Sequence, residues 1–277
     1  MKISNLGLSA FQVTATLQNM TQAAEVLGLT QSALSQRIMK LEDELEVTLF
    51  IRDGKQLRLT DAGHRLLQYC QTQSSLEDEL LYSLRGGQEE LAGVIRIGAY
   101  SSILRSLLIP KLSPFLRKHR KVDLSFRSYE MNELPSVLAR GEADMIVMDY
   151  NLIRNGIVTQ EISKEEFVVI QSKKFAIEEE IYLDHGPHDN ATESFFLSQK
   201  NAPKFYRRAF MGDVYGIIDG VKQGLGKAVM SKHLIENEKD VEIIKGYSKY
   251  HRPISLHYYQ RPYYSKLFSR IIDELAK

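Results

Sequence analysis

The stretch TQSALSQRIMKLEDEL, from Thr30 to Leu45, repeats apolar residues at i, i+4, i+7 and i+11, which is typical of one face of an α-helix. These residues are Leu34, Ile38, Leu41 and Leu45. The opposite face of its first half carries short donors and acceptors in place of the lysine and glutamate mixture of an ordinary solvated helix. They are Ser32, Ser35 and Gln36, with Met39 beside them and Gln31 and Arg37 at the flanks.

Turn and capping residues around this helix predict a helix-turn-helix. A first helix should end near Asn19, and a second, QAAEVLG, should begin with Thr21 as its N-cap and stop at Gly28. Thr30 is placed to cap the helix quoted above. Two helices joined by such a short turn form a helix-turn-helix. The following TLFIRDGKQLRLT has two apolar runs around Asp53-Gly54, which indicates a hairpin, and a hairpin here is a wing.

A longer helix is predicted over residues 61–85. Its apolar residues lie near a/d spacing, which favours a short coiled-coil seam between two chains. They are Leu66, Tyr69, Leu76, Leu80 and Leu84. The alternative is a helix that packs on its own domain. Gly86-Gly87 then mark a hinge.

The remainder of the chain alternates strands with helices, which predicts parallel sheets with crossover helices. Pro110 and Pro114 should bend or break the first of these helices. After a strand at FVVIQS a second series follows, with a capping box at Asn190 and Glu193, and Pro262 lies in the first turn of the last helix. Two α/β lobes in series imply a cleft between them.

Composition limits the possible functions. The chain has 277 residues, of which 43% are hydrophobic, and a formal net charge of +1, so any nucleic-acid binding must come from a local patch. One cysteine, Cys70, excludes an internal disulfide framework and a cysteine-based zinc site. The N-terminus does not read as a signal peptide and no apolar run is long enough to span a membrane, so we expect a cytoplasmic protein.

A series of motifs lies in residues 23–67: AA, a turn, S/TQ-x-A-x-S, LE-x-L, LF-R and LT-x-AG. With GVIRIG, LARGEADMIV and DGVKQGLGKAVMS further on, the sequence resembles the LysR-type transcriptional regulator family over almost its whole length. It departs from the family at Ser32, where proline is usual, and at Ser231-Lys232, where a proline usually follows the strand. These departures act locally and leave the expected fold in place.

The resemblance implies an α/β protein with three parts: a winged helix-turn-helix DNA-binding domain (1–60), a linker and dimerisation helix with a hinge (61–90), and a two-lobed, periplasmic-binding-protein-like effector domain (91–277). The lobes would be about 91–165 with the C-terminal segment, and about 166–250. It further implies a homodimer or tetramer that reads an interrupted palindrome in double-stranded DNA. A small-molecule effector, with carboxylates and amino acids among the candidates, would control it without cofactor or membrane.

The quoted helix would be the recognition helix. The major groove admits one α-helix, and Gln, Asn, Arg and small hydroxyls read base edges there. The predicted DNA-binding residues are Thr30, Gln31, Ser32, Ser35 and Gln36, with Arg37, Lys40, Arg52 and Lys55 on phosphates. Acidic residues are as numerous as basic ones within residues 1–60. A basic DNA-binding surface therefore requires the acidic residues to lie apart from the basic ones. The alternative is the solvated face of a small helical bundle.

Polar residues follow the ends of predicted strands, where open α/β sheets bind ligands. The predicted effector-binding residues are Tyr100, Ser101, Ser102, Ser128, Tyr129, Asp149, His185, Thr192 and Asp213. The resemblance carries over best to Ser101, Ser102 and Ser128, and ordinary capping by Ser and Thr is the alternative. If Asp149 and Glu130 face the cleft, a ligand with an amino group is favoured.

Other classes of protein are less well supported. Cys70 is expected to be a buried small hydrophobe, no catalytic residues are assigned, and GVKQGLGK fails the Walker spacing. Turn residues explain His185 and His188 with their neighbouring aspartates better than a metal does. The alternative function is a cytoplasmic small-molecule-binding protein whose N-terminal helices serve assembly instead of DNA reading.

Overall fold

The N-terminal region of the computed structural model, which describes residues 3–53, 56–84 and 91–277, is a three-helix bundle with a hairpin. Its elements are α1 (Asn5–Leu17), α2 (Met20–Val26), α3 (Gln31–Leu45), the antiparallel strands β1 (Phe50–Asp53) and β2 (Gln56–Leu59), and the long helix α4 (Asp61–Leu84). The predicted helix-turn-helix and the two strands of the wing are therefore present. Gly54, Lys55 and the expected hinge at Gly86-Gly87 lie outside the described residues.

Local capping sets the boundaries of these helices. Thr30 caps α3, because its Oγ1 accepts from the Ala33 N–H at 3.1 Å. Gly28 follows the end of α2 with a φ of +64°, a conformation that favours glycine. Thr21 as the cap of α2 was a wrong prediction: the Asn19 side chain accepts from the backbone N–H of Thr21 and of Gln22.

The C-terminal region holds two α/β lobes joined by two long strands, β6 (Ile157–Ser172) and β11 (Tyr250–Tyr259), which we call the crossing strands. The first lobe contains β3 (Gly93–Ala99), α5 (Ser101–Ile103), a π-helical turn (Leu104–Leu108), α6 (Ile109–Lys118), β4 (Val122–Ser128), α7 (Leu134–Ala139), β5 (Met145–Met148) and the last helix, α10 (Lys266–Ala276). The second lobe contains β7 (Ile181–Asp184), α8 (Ala191–Leu197), β8 (Arg207–Phe210), α9 (Val214–Lys222), β9 (Ala228–Ser231), a 3-10 turn (Lys232–Ile235) and β10 (Val241–Ile243).

The main sheet is mixed, with the strand order β10-β6-β11-β5-β3-β4 and β9 also paired to β6. Strand β3 is parallel to β4 and β5, as the alternation of elements predicts. The crossing strands are antiparallel to each other from Ile157↔Tyr259 to Phe167↔Tyr250. The strand predicted at FVVIQS therefore begins ten positions earlier, because β11 pairs with a polar segment that has no apolar run of its own.

Each lobe has its own hydrophobic core. In the first lobe, helices α6 and α10 cover one face of the sheet, with Leu108, Leu112 and Ile271 fully buried. In the second lobe, α9 packs Ile217, Ile218 and Val221 on the sheet, and α8 buries Phe195 on the other side. The separate cores leave a space between the lobes.

Three local predictions in this region were wrong. Neither Pro110 nor Pro114 breaks the helix: Pro110 lies in the first turn of α6, directly after a π-helical turn in which the Ile109 N–H bonds Leu104 O, and Pro114 lies inside α6. Asn190 makes no side-chain cap, because its Oδ1 accepts from Arg252 Nη2. The last helix starts after Ser265, its N-cap, so Pro262 precedes it.

The long helix α4 contacts the first lobe. The Gln71 side chain donates from Nε2 to Gly141 O at 3.0 Å, and Arg261 donates from Nη1 to Thr72 Oγ1 at 2.6 Å. These bonds fix the direction of α4 relative to the lobe. None of the helices in the described part of the chain has the length and hydropathy needed to cross a membrane.

Candidate functional site: a recognition helix and an inter-lobe cavity

The polar face of α3 lies on the surface of the N-terminal region. Leu34, Ile38 and Leu41 are buried against α1 and α2. Most of the predicted DNA-reading residues are exposed or half-buried on the other side: Thr30, Gln31, Ser32, Ser35, Gln36, Arg37 and Lys40. Lys55 and the side chain of Arg52 lie outside what the structure describes. The helix therefore presents short hydrogen-bonding groups and two cations to solvent.

The glutamate of the LE-x-L motif has a structural role at the other end of α3. Glu42 accepts through Oε1 from the backbone N–H of Leu49 at 2.6 Å and of Phe50 at 3.3 Å. Leu49 is fully buried, so the first of these bonds satisfies a donor that water does not reach. The acid is thereby held at the entrance of the wing, away from the polar face.

Helix α4 serves two roles along its length. Leu66 packs in the N-terminal core with Phe11, Leu49 and Cys70, so its place in the predicted dimer seam is wrong: its own domain covers it. Tyr69 is exposed, Leu76 is half-buried, and Leu80 and Leu84 are 56% and 72% exposed. The C-terminal half of the helix thus presents apolar residues outward. Cys70 is buried, which raises the pKa of its thiol to about 11.

A cavity of about 390 Å³ lies between the two lobes, within the size range of small-molecule sites. Seven of the nine predicted effector-binding residues line it: Tyr100, Ser101, Ser102, Ser128, Tyr129, Asp149 and His185. Glu130 also lines it, as does apolar surface from Ile103, Phe167 and Val214. The ends of strands from both lobes therefore meet at one space.

Two predicted residues do not reach the cavity. Thr192 is fully buried and donates its hydroxyl to Asp184. Asp213 caps α9, accepting from the N–H groups of Tyr215 at 2.7 Å and Gly216 at 3.0 Å, while its neighbours Gly212 and Val214 line the space. Asp213 therefore serves as a helix cap, and Thr192 satisfies a buried carboxylate.

Asp184 organises the loop that carries His185 into the cavity. It is 1% exposed and accepts from Thr192 and from the Arg208 guanidinium, which also donates to Asp189 O. Asp189 closes the loop by accepting from the His185 N–H at 3.2 Å. Within the described residues, no three His, Cys, Asp or Glu side chains gather as a metal site would require.

An ion pair that sequence reasoning missed crosses the cavity wall. Arg252 donates from Nη1 to Asp149 Oδ2 at 2.6 Å and from Nη2 to Asn190 Oδ1 at 2.8 Å. Tyr100 donates its hydroxyl to the other Asp149 oxygen at 3.2 Å, and burial and the Asp149 charge both raise the pKa of that hydroxyl. Arg252 thus connects a carboxylate of the first lobe to α8 of the second.

A second missed residue is Glu165 on β6, whose side chain is 12% exposed. Burial, and next the charge of Asp149, raise the pKa of Glu165 to about 7. His233 Nε2 lies 3.7 Å from its Oε1, and burial lowers the pKa of that imidazole. The only signal in the sequence was a charged residue just before an apolar strand.

Two contacts join the lobes beside the cavity. Glu130 Oε2 of the first lobe lies 3.4 Å from His185 Nδ1 of the second. The Arg105 guanidinium lies 4.3 Å above the centre of the Tyr215 ring. Each contact pairs a side chain of the first lobe with a side chain of the second.

Comparison with known proteins places this architecture in one family. The model for the bacterial regulatory helix-turn-helix protein, lysR family, matches residues 7–64, and that for the LysR substrate binding domain matches residues 88–277. The HTH-type transcriptional regulator YofA of Bacillus subtilis is 27% identical over 238 residues, which are 84% of this chain and 82% of YofA.

Solved structures share the fold over nearly the full length. ArgP from Mycobacterium tuberculosis superposes with a TM-score of 0.82 at 19% identity, covering 99% of this chain and 97% of that one. Full-length LysG from Corynebacterium glutamicum with bound effector Arg gives 0.76 at 18% identity, covering 99% and 96%. The predicted fold and function are confirmed, and the chain belongs to the LysR family: it is a DNA-binding transcription regulator with an effector-binding domain, not an enzyme.

Proposed function

We propose that the first half of α3 reads base edges in the major groove through Gln31, Ser32, Ser35 and Gln36. The observation that carries this proposal is a capped helix with one face buried in the bundle and the other exposing short donors and acceptors. Such side chains are of the types that pair with base edges. The helix N-terminus adds a favourable dipole for a phosphate.

Basic residues around this face would fix the protein on the DNA backbone. Arg37 and Lys40 on α3, with Arg52 and Lys55 of the wing, are assigned to phosphates. Phosphate contacts position the protein without specifying sequence. Met39 is exposed on the same face, where a thymine methyl is a suitable contact.

A dimer or tetramer is proposed because one small module binds DNA weakly and two half-sites raise the affinity. Residues 61–90 would pair the chains through Tyr69, Leu76, Leu80 and Leu84, with 1–60 on the DNA and 91–277 as the effector domain. The target is then an interrupted palindrome. A regulator of this kind works in the cytoplasm, where bacterial DNA lies.

The proposed effector site is the inter-lobe cavity, with Tyr100, Ser101, Ser102 and Ser128 from the first lobe and His185 from the second. A small molecule held by both lobes would change the contacts between them. It shifts the state of the protein to the extent that it binds the two arrangements with different affinity.

Binding to genomic DNA fragments at physiological salt tests the recognition face. Wild type should enrich fragments with a shared palindrome, and Ser35→Ala/Gln36→Ala should lose that enrichment. Asp43→Ala is the matched control, because Asp43 is exposed on the far part of the same helix.

Enrichment that survives in the folded double variant would overturn the assignment of this face. Absence of any enriched site for the folded, oligomeric wild type would do the same. Loss in Asp43→Ala as well would show a general defect of the helix.

A further inference from the structure

Glu165 lies where the two lobes meet and faces the cavity. Alternation along β6 turns the next residue, Glu166, to the opposite side, where it accepts from Lys232 Nζ at 2.8 Å. One strand thus carries a glutamate in the cavity and a glutamate on the outside with its own cation.

The cation nearest to Glu165 in the sheet forms its hydrogen bonds with other residues. Arg252 is its cross-strand partner in β11, yet the guanidinium donates to Asp149 and Asn190. The titratable and charged groups that face Glu165 are Asp149, which follows β5, Arg252 from β11 and His233 from the 3-10 turn, with the Ser231 hydroxyl beside them. Asp149 and Arg252 pair with each other, which leaves the Glu165 carboxylate as a further acid in the cavity wall, beside the more exposed Glu130.

A buried carboxylate without a cation is costly, and a cation that enters the cavity removes that cost. His233 does not supply it, because its pKa is lowered by burial and its Nδ1 is held by Ser231 at 2.8 Å. The exposed acid Glu130 at the same cavity adds attraction for positive charge.

We propose that the effector carries a protonated nitrogen, ammonium or guanidinium, that binds the Glu165 carboxylate, and that its binding releases a proton from Glu165 to solvent. This inference rests on the proposed effector site and names the chemical class of its ligand. The proton balance is simple: the protonated carboxyl loses its proton, and the carboxylate that forms pairs with the ligand cation.

The linkage gives a definite pH dependence. Since the pKa of Glu165 is about 7 and a cation bound to the carboxylate would lower it, affinity for the cation rises with pH across this value. Below that pKa the affinity falls by up to about tenfold per pH unit, since each binding event must remove a proton.

The test is thermal stabilisation and calorimetry of the full chain with matched probes. L-arginine is compared with uncharged L-citrulline, L-lysine with L-norleucine, and 1,4-diaminobutane with succinate, at about pH 6 and about pH 8. Calorimetry in buffers of different ionisation heat counts the protons released. The variant is Glu165→Gln, and the matched control is Glu166→Gln on the outer face of the same strand.

We expect at least one cationic probe to stabilise wild type and Glu166→Gln more strongly at about pH 8, and to release a proton at about pH 6, where Glu165 is mostly protonated. Its neutral or acidic counterpart should not, and Glu165→Gln should lose both binding and proton release.

Stabilisation by succinate or a neutral probe, equal in Glu165→Gln, would overturn the cationic assignment and leave the effector site in place. Equal binding of a cationic probe by Glu165→Gln, or no stabilisation by any cationic probe up to about 10 mM, would overturn it too. The enrichment of genomic DNA is scored separately, so a failure of the DNA-reading proposal is distinguishable.

Discussion

The Asp149 carboxylate and the Arg252 guanidinium form an ion pair whose two side chains are 5% and 9% exposed. They are 103 positions apart in the chain, and they meet where β5 of the first lobe lies beside the crossing strand β11. Arg252 both neutralises Asp149 and connects it to Asn190, at the start of α8.

Replacing Arg252 by methionine should destabilise the effector domain by about 3–5 kcal/mol, because it leaves Asp149 buried without its cation. Urea unfolding followed by tyrosine fluorescence measures the change. Arg207→Met is the control, since that arginine is exposed. The double variant Asp149→Asn/Arg252→Met should recover part of the lost stability. An equal loss of stability in Arg252→Met and in the control would contradict the argument.

Glu165 predicts an unusual pH dependence of stability. Its pKa in the folded chain is about 7, above the ordinary 4.5, so the folded state holds this proton more tightly than the unfolded state. Its stabilising contribution is complete below about pH 4.5 and is lost as the pH rises through about 7.

The side chain at position 165 cannot ionise in Glu165→Gln. The free energy of unfolding of this variant should therefore rise relative to that of wild type by up to about 3 kcal/mol between about pH 5 and about pH 8. Urea unfolding at the two pH values gives the difference. Glu166→Gln should show no such gain, because Lys232 lowers the pKa of Glu166. A constant difference between Glu165→Gln and wild type at both pH values would refute the burial argument.

Glu42→Ala should loosen the start of the wing. The backbone N–H of the fully buried Leu49 loses its acceptor, at a cost of about 1–3 kcal/mol. Hydrogen exchange over residues 46–53 should speed up in this variant and stay near wild type in Asp43→Ala. Unchanged exchange in Glu42→Ala would show that the bond contributes nothing to wing order.

Leu84→Glu tests the proposed pairing of α4. Because Leu84 is 72% exposed in the single chain, the change should leave folding intact and shift the particle mass towards the monomer. Light scattering coupled to gel filtration measures it. Leu225→Glu, at a 57% exposed leucine of the second lobe, is the control. An unchanged mass for Leu84→Glu would remove this residue from the interface.

Local features of the chain predict the N-terminal region well. Thr30 and Gly28 mark helix ends through bonds and backbone angles within a few residues, so the sequence alone places α3. Asn19 and Thr21 are both good caps, and the choice between them depends on where the preceding helix ends.

Tertiary contacts explain what the sequence could not predict. Asn190 matched a capping box, but Arg252 from a distant strand takes its side-chain oxygen. Seven effector residues were found because they follow strand ends, whereas Glu165 and Arg252 lie inside the crossing strands. Leu66 fits the a/d spacing, yet helix spacing alone does not say which neighbour covers an apolar residue.

The chain passes between the two lobes once in β6 and once in β11, and these passages are hydrogen-bonded to each other. Two separate loops would let the lobes move in many directions, whereas a ribbon of two hydrogen-bonded strands restricts that motion. Sliding one strand along the other breaks its ladder, but twisting the ribbon about its long axis keeps the bonds. We therefore expect any motion between the lobes to be a small rotation about this ribbon, on which Glu165 and Arg252 occupy opposite positions of the two strands.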